Sequence, residues 1–233
     1  MVWDNVPEAS HIRIALFDLD NTLYDREATF RSWAVRFAQD HRFTPNAVEW
    51  LIYADHDGLA DRTELWTNAK AHFGLRDPVD TLVSAYYADY WELLGPDGDI
   101  QSCLADLQAA EWRICIITNG PHTHQLKKAE RLGLLPFVNG FCSSGELGVA
   151  KPDRRIFEEA LSRAVGRETV VPPTRTRWMI GDSPTADIVG ARQCGLGTIW
   201  IHRDRTWDLT LGGPPDLLAG SIREAVRQLL ARE

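Results

Sequence analysis

At 233 residues with 44% hydrophobic content, the chain can bury one large core and still carry an insertion. A net charge of −8 argues against a binder of nucleic-acid phosphates, which would present a basic face, and no apolar run is long enough to span a bilayer. Met1-Val2-Trp3-Asp4 has no basic stretch leading into an apolar one, so no secretory signal is expected. Cys103, Cys115, Cys142 and Cys194 lie far apart without a C-x-x-C spacing and read as small apolar residues of a reducing compartment, the cytoplasm.

After a polar lead-in over residues 1–10, Ile12 to Phe17 has the length and branched content of a strand buried on both faces. It ends in Asp18 and Asp20, whose side chains leave an extended chain on the same side. Two like charges so close need a cation or a shared proton, so the pair reads as a site. Residues 25–94 then show four helical stripes: Phe30, Trp33, Ala34, Phe37, Ala38 and His41; Ala47, Trp50, Leu51 and Ala54 after Thr44-Pro45; Leu65, Trp66, Ala69 and Phe73 after Asp61; Val79 to Leu94 after Asp77-Pro78. Gly95-Pro96-Asp97-Gly98 closes this small bundle with a turn.

From residue 99 helices and strands alternate. A helix bears Ile100, Cys103, Leu104 and Leu107, and the strand Ile114–Ile117 ends in Thr118-Asn119-Gly120. A helix from about 122 stops at Gly133, and Phe137 to Cys142 reads as a short strand. Another helix follows Lys151-Pro152-Asp153, and Trp178-Met179-Ile180 is a strand ending in Gly181-Asp182. A helix from about 185 to Gly195, a strand over Thr198–Ile201 and a last helix capped by Ser221 with Glu224 complete the chain. The alternation predicts an α/β fold, a Rossmann-like, doubly wound parallel sheet interrupted after its first strand by a four-helix insertion. The expected boundaries are 1–23 with 96–233 for the core and 24–95 for the insertion.

In such sheets ligands bind beyond the carboxyl ends of the strands. Asp18 and Asp20, then Thr118-Asn119-Gly120, then Gly181-Asp182 through Asp187 stand at predicted strand ends, and Lys151 lies just before a helix. Each alone is an ordinary turn, cap or surface residue; together, in this order and each at its predicted place, they point to one site. On these motifs the sequence resembles the phosphatases of the haloacid dehalogenase-like superfamily that carry a helical cap after the first motif. The match consists of Asp-x-Asp-x-Thr at Asp18, Asp20 and Thr22, with Thr118, Lys151, and Gly-Asp-x-x-x-x-Asp across Asp182 and Asp187.

The resemblance implies a Mg²⁺-dependent phosphomonoester hydrolase. Asp18 would accept the phosphoryl group, and Asp20 would protonate the leaving oxygen and then activate water. Mg²⁺ would be held by the Asp18 carboxylate, the Asp20 main-chain carbonyl and Asp182, with Asp187 behind them. Thr118, Asn119 through its amide, and Lys151 would hold the remaining phosphate oxygens. Halide-removing members of the superfamily lack the second acid, so Asp20 favours phosphate esters. The expected partner is a small phosphorylated metabolite, either a nucleoside monophosphate, an acyl-sugar phosphate or phosphoglycolate, with no nucleic acid and no membrane. Sugar-phosphate mutases and a non-catalytic binding protein of the same fold are the rival readings.

Among the remaining features, His122 and His124 sit two apart on a helix and do not face one way, which argues against a shared metal. Asp55-His56-Asp57-Gly58 lacks the closing Glu of a calcium loop and reads as an interhelical turn. That turn, with Arg62, corresponds in position to the cap loop that reaches the active site in many relatives, which makes Asp57 and Arg62 specificity candidates. Trp207 is left without a helical partner, to line the site or a contact surface.

Overall fold

The computed structural model describes residues 12–166 and 176–232; the lead-in lies outside them. Six parallel strands form one sheet: β1 (Arg13–Phe17), β2 (Trp112–Thr118), β3 (Gly140–Ser143), β4 (Arg177–Gly181), β5 (Gly197–Ile201) and β6 (Leu217–Ala219), in the order β3-β2-β1-β4-β5-β6. The chain therefore winds outward from β1 in one direction and from β4 in the other. The crevice where the winding reverses lies at the ends of β1 and β4, the usual place for a ligand in such a sheet.

Alternation along β1 divides the core. Ile14 and Leu16 join Cys115, Ile117, Cys142 and Met179 on one face. Against them packs the apolar stripe of α8 (Arg154–Val165): Ile156, Phe157, Ala160, Leu161 and Ala164. The other face meets α5 (Gly98–Ala109) and α10 (Ile222–Leu230). In chain order α6 (His122–Arg131), the short α7 (Ser144–Leu147) and α9 (Gly190–Gln193) fall between α5 and α10. Cys103, Cys115 and Cys142 are buried and all four cysteines are free.

By its contacts the chain divides into two compact units, one of Met1–Tyr24 with Pro96–Glu233 and the other Asp25–Gly95. Tyr24 falls with the first because its main chain bridges Asp20. The second unit holds α1 (Arg26–Asp40), α2 (Asn46–Asp55), α3 (Arg62–Phe73) and α4 (Val79–Glu92). Its core is aromatic: Trp33 lies 4.7 Å from Tyr86, 5.2 Å from Phe37, 5.3 Å from Phe30 and 5.7 Å from Trp66, ring centre to ring centre. Asp61 caps α3 by accepting from the Glu64 N–H, as its spacing predicts.

Four local expectations are corrected. The strand expected over Phe137–Cys142 begins only at Gly140, since Leu135–Phe137 is a 3₁₀ turn around Pro136. The turn expected to run through Gly98 ends at Asp97, whose carboxylate caps α5. The helix expected from about 185 opens as a π turn, Pro184–Val189, in which Asp187 and Ile188 both donate to the Ser183 carbonyl. In the Ser221 box, Glu224 reaches back to the Gly220 N–H, one residue earlier than the pattern implies. The edge strand β6 has three residues, too few for a period to register.

Candidate active site

β1 ends at Phe17 and leaves Asp18 at its carboxyl end. The Asp18 N–H still donates to Ile180 O on β4 (2.9 Å), which fixes its main chain between the two strand ends. Its carboxylate accepts from Lys151 Nζ at 2.6 Å. The same ammonium donates to Ile117 O at the end of β2 (2.9 Å) and lies 2.7 Å from Asp187 Oδ1. Lys151 thus ties β1, β2 and the π turn after β4 to one point. Burial opposes its charge, but Asp18 and Asp187 outweigh that and raise its pKa above the usual lysine range.

Asp18, Asp182 and Asp187 are all buried, and one oxygen from each lies within 4.8 Å of the others. Burial first, then repulsion from Asp187 and Asp182, pushes the Asp18 carboxyl up to about 8 despite Lys151. Lys151 meets Asp18 and Asp187, and Arg205 and Arg203 reach Asp182 Oδ2 at 3.0 and 3.6 Å, so much of the charge is already offset; what points to an ion is the crowding of carboxylate oxygens, an all-oxygen donor set that suits a hard divalent cation. The residues therefore fit a metal. His122 and His124 are outside this group; His122 Nδ1 pairs with Ser143 Oγ at 2.9 Å.

Asp187 is held from two sides, since its Oδ2 accepts from the Ser183 N–H at 2.9 Å. Gly181 makes room for it: a Cβ there would stand 2.2 Å from Asp187 Oδ2. Gly181→Ala must therefore move a buried, doubly held carboxylate. It is expected to destabilise by about 1–3 kcal/mol and to lower activity, whereas Gly213→Ala, with nothing within 4 Å, should be silent in the same urea titration.

Thr118 ends β2 and is buried. The Asn119 carboxamide clasps the Lys151 main chain in both directions, Nδ2 to O at 3.0 Å and Oδ1 from N at 2.9 Å. Its side chain thus positions Lys151.

Asp20 lies beyond the triad, with both oxygens engaged. Lys128 Nζ donates to Oδ1 at 2.6 Å, Tyr24 Oη to the same oxygen at 2.5 Å, and Gln125 Nε2 to Oδ2 at 2.7 Å. Burial alone would raise its pKa; Lys128, with the Gln125 and Tyr24 hydrogen bonds, overrides this and lowers it to about 2. Gln125 also donates to Thr118 Oγ1 at 2.6 Å. The sequence reading missed Tyr24, Gln125 and Lys128. The available signal was the three-residue spacing of Gln125 and Lys128 on the helix opened by Thr118-Asn119-Gly120.

Asp182 is braced through its main-chain oxygen, which accepts from Trp200 Nε1 (2.8 Å) and Arg205 Nη2 (2.6 Å); Arg205 also reaches Oδ2 at 3.0 Å. Trp207 stacks edge-on against Trp200, 5.3 Å between ring centres, so it packs behind this brace.

In the helical unit, a cavity of about 200 Å³ is lined by Arg26, Glu27, Phe30, Ile52, Asp55 and Asp57. Asp57 is half-exposed and 3.9 Å from Arg26. Arg62 does not line the cavity; its Nη1 donates to Asp55 Oδ1 at 2.6 Å.

The family profile described as "Hydrolase: haloacid dehalogenase-like hydrolase" matches residues 12–195. The pyrimidine 5'-nucleotidase YjjG of Escherichia coli is 39% identical over 234 residues, covering 93% of this chain and 96% of that one. The ribulose-1,5-bisphosphate 5-phosphatase of Halopiger xanaduensis is 32% identical over 213 residues, covering 84% and 87%. Among solved structures, Bacillus subtilis YfnB bound to magnesium superimposes with a TM-score of 0.72 at 24% identity, over 94% of this chain and 99% of that one.

Proposed function

The chain belongs to the haloacid dehalogenase-like hydrolase family, and we propose that within it the chain is a Mg²⁺-dependent phosphomonoester hydrolase acting on a small phosphorylated metabolite. The observation that carries this reading is Lys151 bonded to Asp18 inside a buried group of three carboxylates, with a second acid, Asp20, two residues on. A halide leaves without a proton, so a site for halides needs no Asp20; an alkoxide leaving group does need one.

Asp18 attacks phosphorus and becomes an aspartyl phosphate, and the bridging P–O bond to the leaving group breaks. Thr118, the Asn119 main-chain N–H and Lys151 hold the transferring oxygens, whose charge Lys151 partly offsets. Asp20 gives its proton to the departing oxygen, then takes one from the water that hydrolyses the intermediate. Lys128, Gln125 and Tyr24 hold the Asp20 carboxyl down to about 2, which suits its part as base in the second step; the first step uses its protonated form. Asp18, the Asp20 carbonyl and Asp182 would hold Mg²⁺, with Asp187 behind them. The ion would supply positive charge against the phosphate and keep Asp18 ionised.

The Asp25–Gly95 unit serves as the cap, and Asp57 on its cavity and Arg62 are the specificity candidates. The free cysteines accord with a cytoplasmic setting. A nucleoside monophosphate, an acyl-sugar phosphate and phosphoglycolate are the substrate classes to compare.

The test is hydrolysis of a phosphate-ester panel with Mg²⁺ and with excess EDTA. Turnover is expected to fall to background in EDTA and to return with Mg²⁺. No Mg²⁺-dependent turnover of any ester would favour the non-catalytic reading, and isomerised sugar phosphate in place of free phosphate would favour the mutase.

A further inference from the structure

Three residues around Asp20 touch neither the phosphoryl group nor the leaving oxygen in the steps above, yet they take up both of its carboxylate oxygens. Lys128 and Tyr24 meet on Oδ1 and Gln125 takes Oδ2. Residues three apart on a helix share a face, so α6 delivers Gln125 and Lys128 to the same carboxylate together. The Lys128 ammonium also lies 5.8 Å from the centre of the Tyr24 ring, which gives the two residues a contact of their own.

Asp20 stands on a tight turn, where Asn21 takes a left-handed conformation (φ 62°), and its side chain is 27% exposed. A short carboxylate in such a place would sample several rotamers unless held. Its two tasks address two definite atoms, the leaving oxygen and then a water. A displacement of about 1 Å at a reacting group costs about 100-fold in rate.

We propose that Lys128, together with Tyr24, is a positioning residue for Asp20, and that Gln125 links that position to the phosphate-binding Thr118. This inference rests on the phosphatase reading. Lys151 already occupies the Asp18 side of the site, so the two lysines divide the work: one on the nucleophile, the other on the acid–base group.

The test compares full-length wild type, Lys128→Met and Lys128→Arg at saturating Mg²⁺, on p-nitrophenyl phosphate and on glycerol 3-phosphate as an unactivated ester. Lys128→Met is expected to lower kcat by about 10- to 100-fold with KM within about twofold, and Lys128→Arg to recover part of the loss. An unchanged kcat, or an Arg variant no better than Met, would overturn the proposal. A raised KM with intact kcat would also overturn it, by making Lys128 a phosphate ligand. If Lys128→Met fails to fold, Tyr24→Phe, which removes only the hydroxyl donor, is expected to lower kcat with KM retained, and a wild-type kcat there overturns the proposal. A wild-type enzyme that hydrolyses no ester ends the phosphatase reading and this inference with it; an active wild type with an indifferent Lys128 ends the inference alone.

Discussion

Asp18→Asn is expected to reduce hydrolysis of p-nitrophenyl phosphate by about 10⁴-fold or more, because no other described carboxylate can take its place as nucleophile. Asp182 and Asp187 are within reach of the same point, but Asp187 is held by Lys151 and the Ser183 N–H, and Asp182 by Arg205. Asp20→Asn is expected to cost about 10²- to 10⁴-fold, the range of a lost general acid–base group. The two variants should also differ in kind. p-Nitrophenolate leaves with little help from a proton, so Asp20→Asn still forms the aspartyl phosphate and then lacks a base to hydrolyse it. Acid quenching after mixing with labelled substrate should therefore trap covalent phosphate on Asp20→Asn and none on Asp18→Asn. Near wild-type turnover in Asp18→Asn, or covalent phosphate on it, would remove Asp18 from its role.

The difference between the two acids also shows what a linear sequence can convey. Asp18, Thr118, Lys151 and Asp182 were legible because each follows a strand, or precedes a helix, whose apolar pattern fixes where it ends; topology then assembles them. Gln125 and Lys128 were not, since they sit inside a polar helix where a lysine and a glutamine are the commonest solvent-facing residues. Only the fold reveals that this face of α6 meets Asp20. Asn119 was legible as a candidate but not as the clasp on Lys151, which depends on a contact 32 positions away. The π turn was hidden for a related reason: its widened turn accompanies a carboxylate drawn inward to Lys151, a tertiary cause acting on a segment whose residues read as helix. Asp55 was read only as part of a polar turn, yet it is 1% exposed.

Asp55→Ala is accordingly expected to destabilise the protein by about 3–5 kcal/mol, lowering the melting temperature by on the order of 10 °C. The carboxylate accepts four contacts: Arg26 Nη1 at 2.5 Å and Nη2 at 2.6 Å, Arg62 Nη1 at 2.6 Å, and the Gly58 N–H at 2.9 Å. Removing it leaves two guanidinium groups short of a buried partner, Arg26 being 6% exposed at its side chain. By contrast Arg31 and Glu49 pair at 2.8 Å in the open, at 46% and 69% exposure, where such a pair is worth under about 1 kcal/mol. Asp55 also steadies the turn that follows, in which His56 (φ 49°) and Asp57 (φ 54°) hold left-handed conformations costing about 1–2 kcal/mol each. Burial works to raise the Asp55 pKa, but Arg26 and then Arg62 outweigh it and lower it below the usual carboxylate range. The sign follows: its stabilisation is present above the unfolded value near ~3.9 and is lost as pH falls through the lower folded value. The gap in stability between wild type and Asp55→Asn should therefore stay constant at neutral pH and narrow only in strong acid. Combining Asp55→Ala with Arg26→Met should cost much less than the sum of the two, with a coupling of about 1–3 kcal/mol. Additive losses, or a single loss below about 1 kcal/mol in urea titration, would mean that solvent screens these charges and that another feature holds the Asp57 turn.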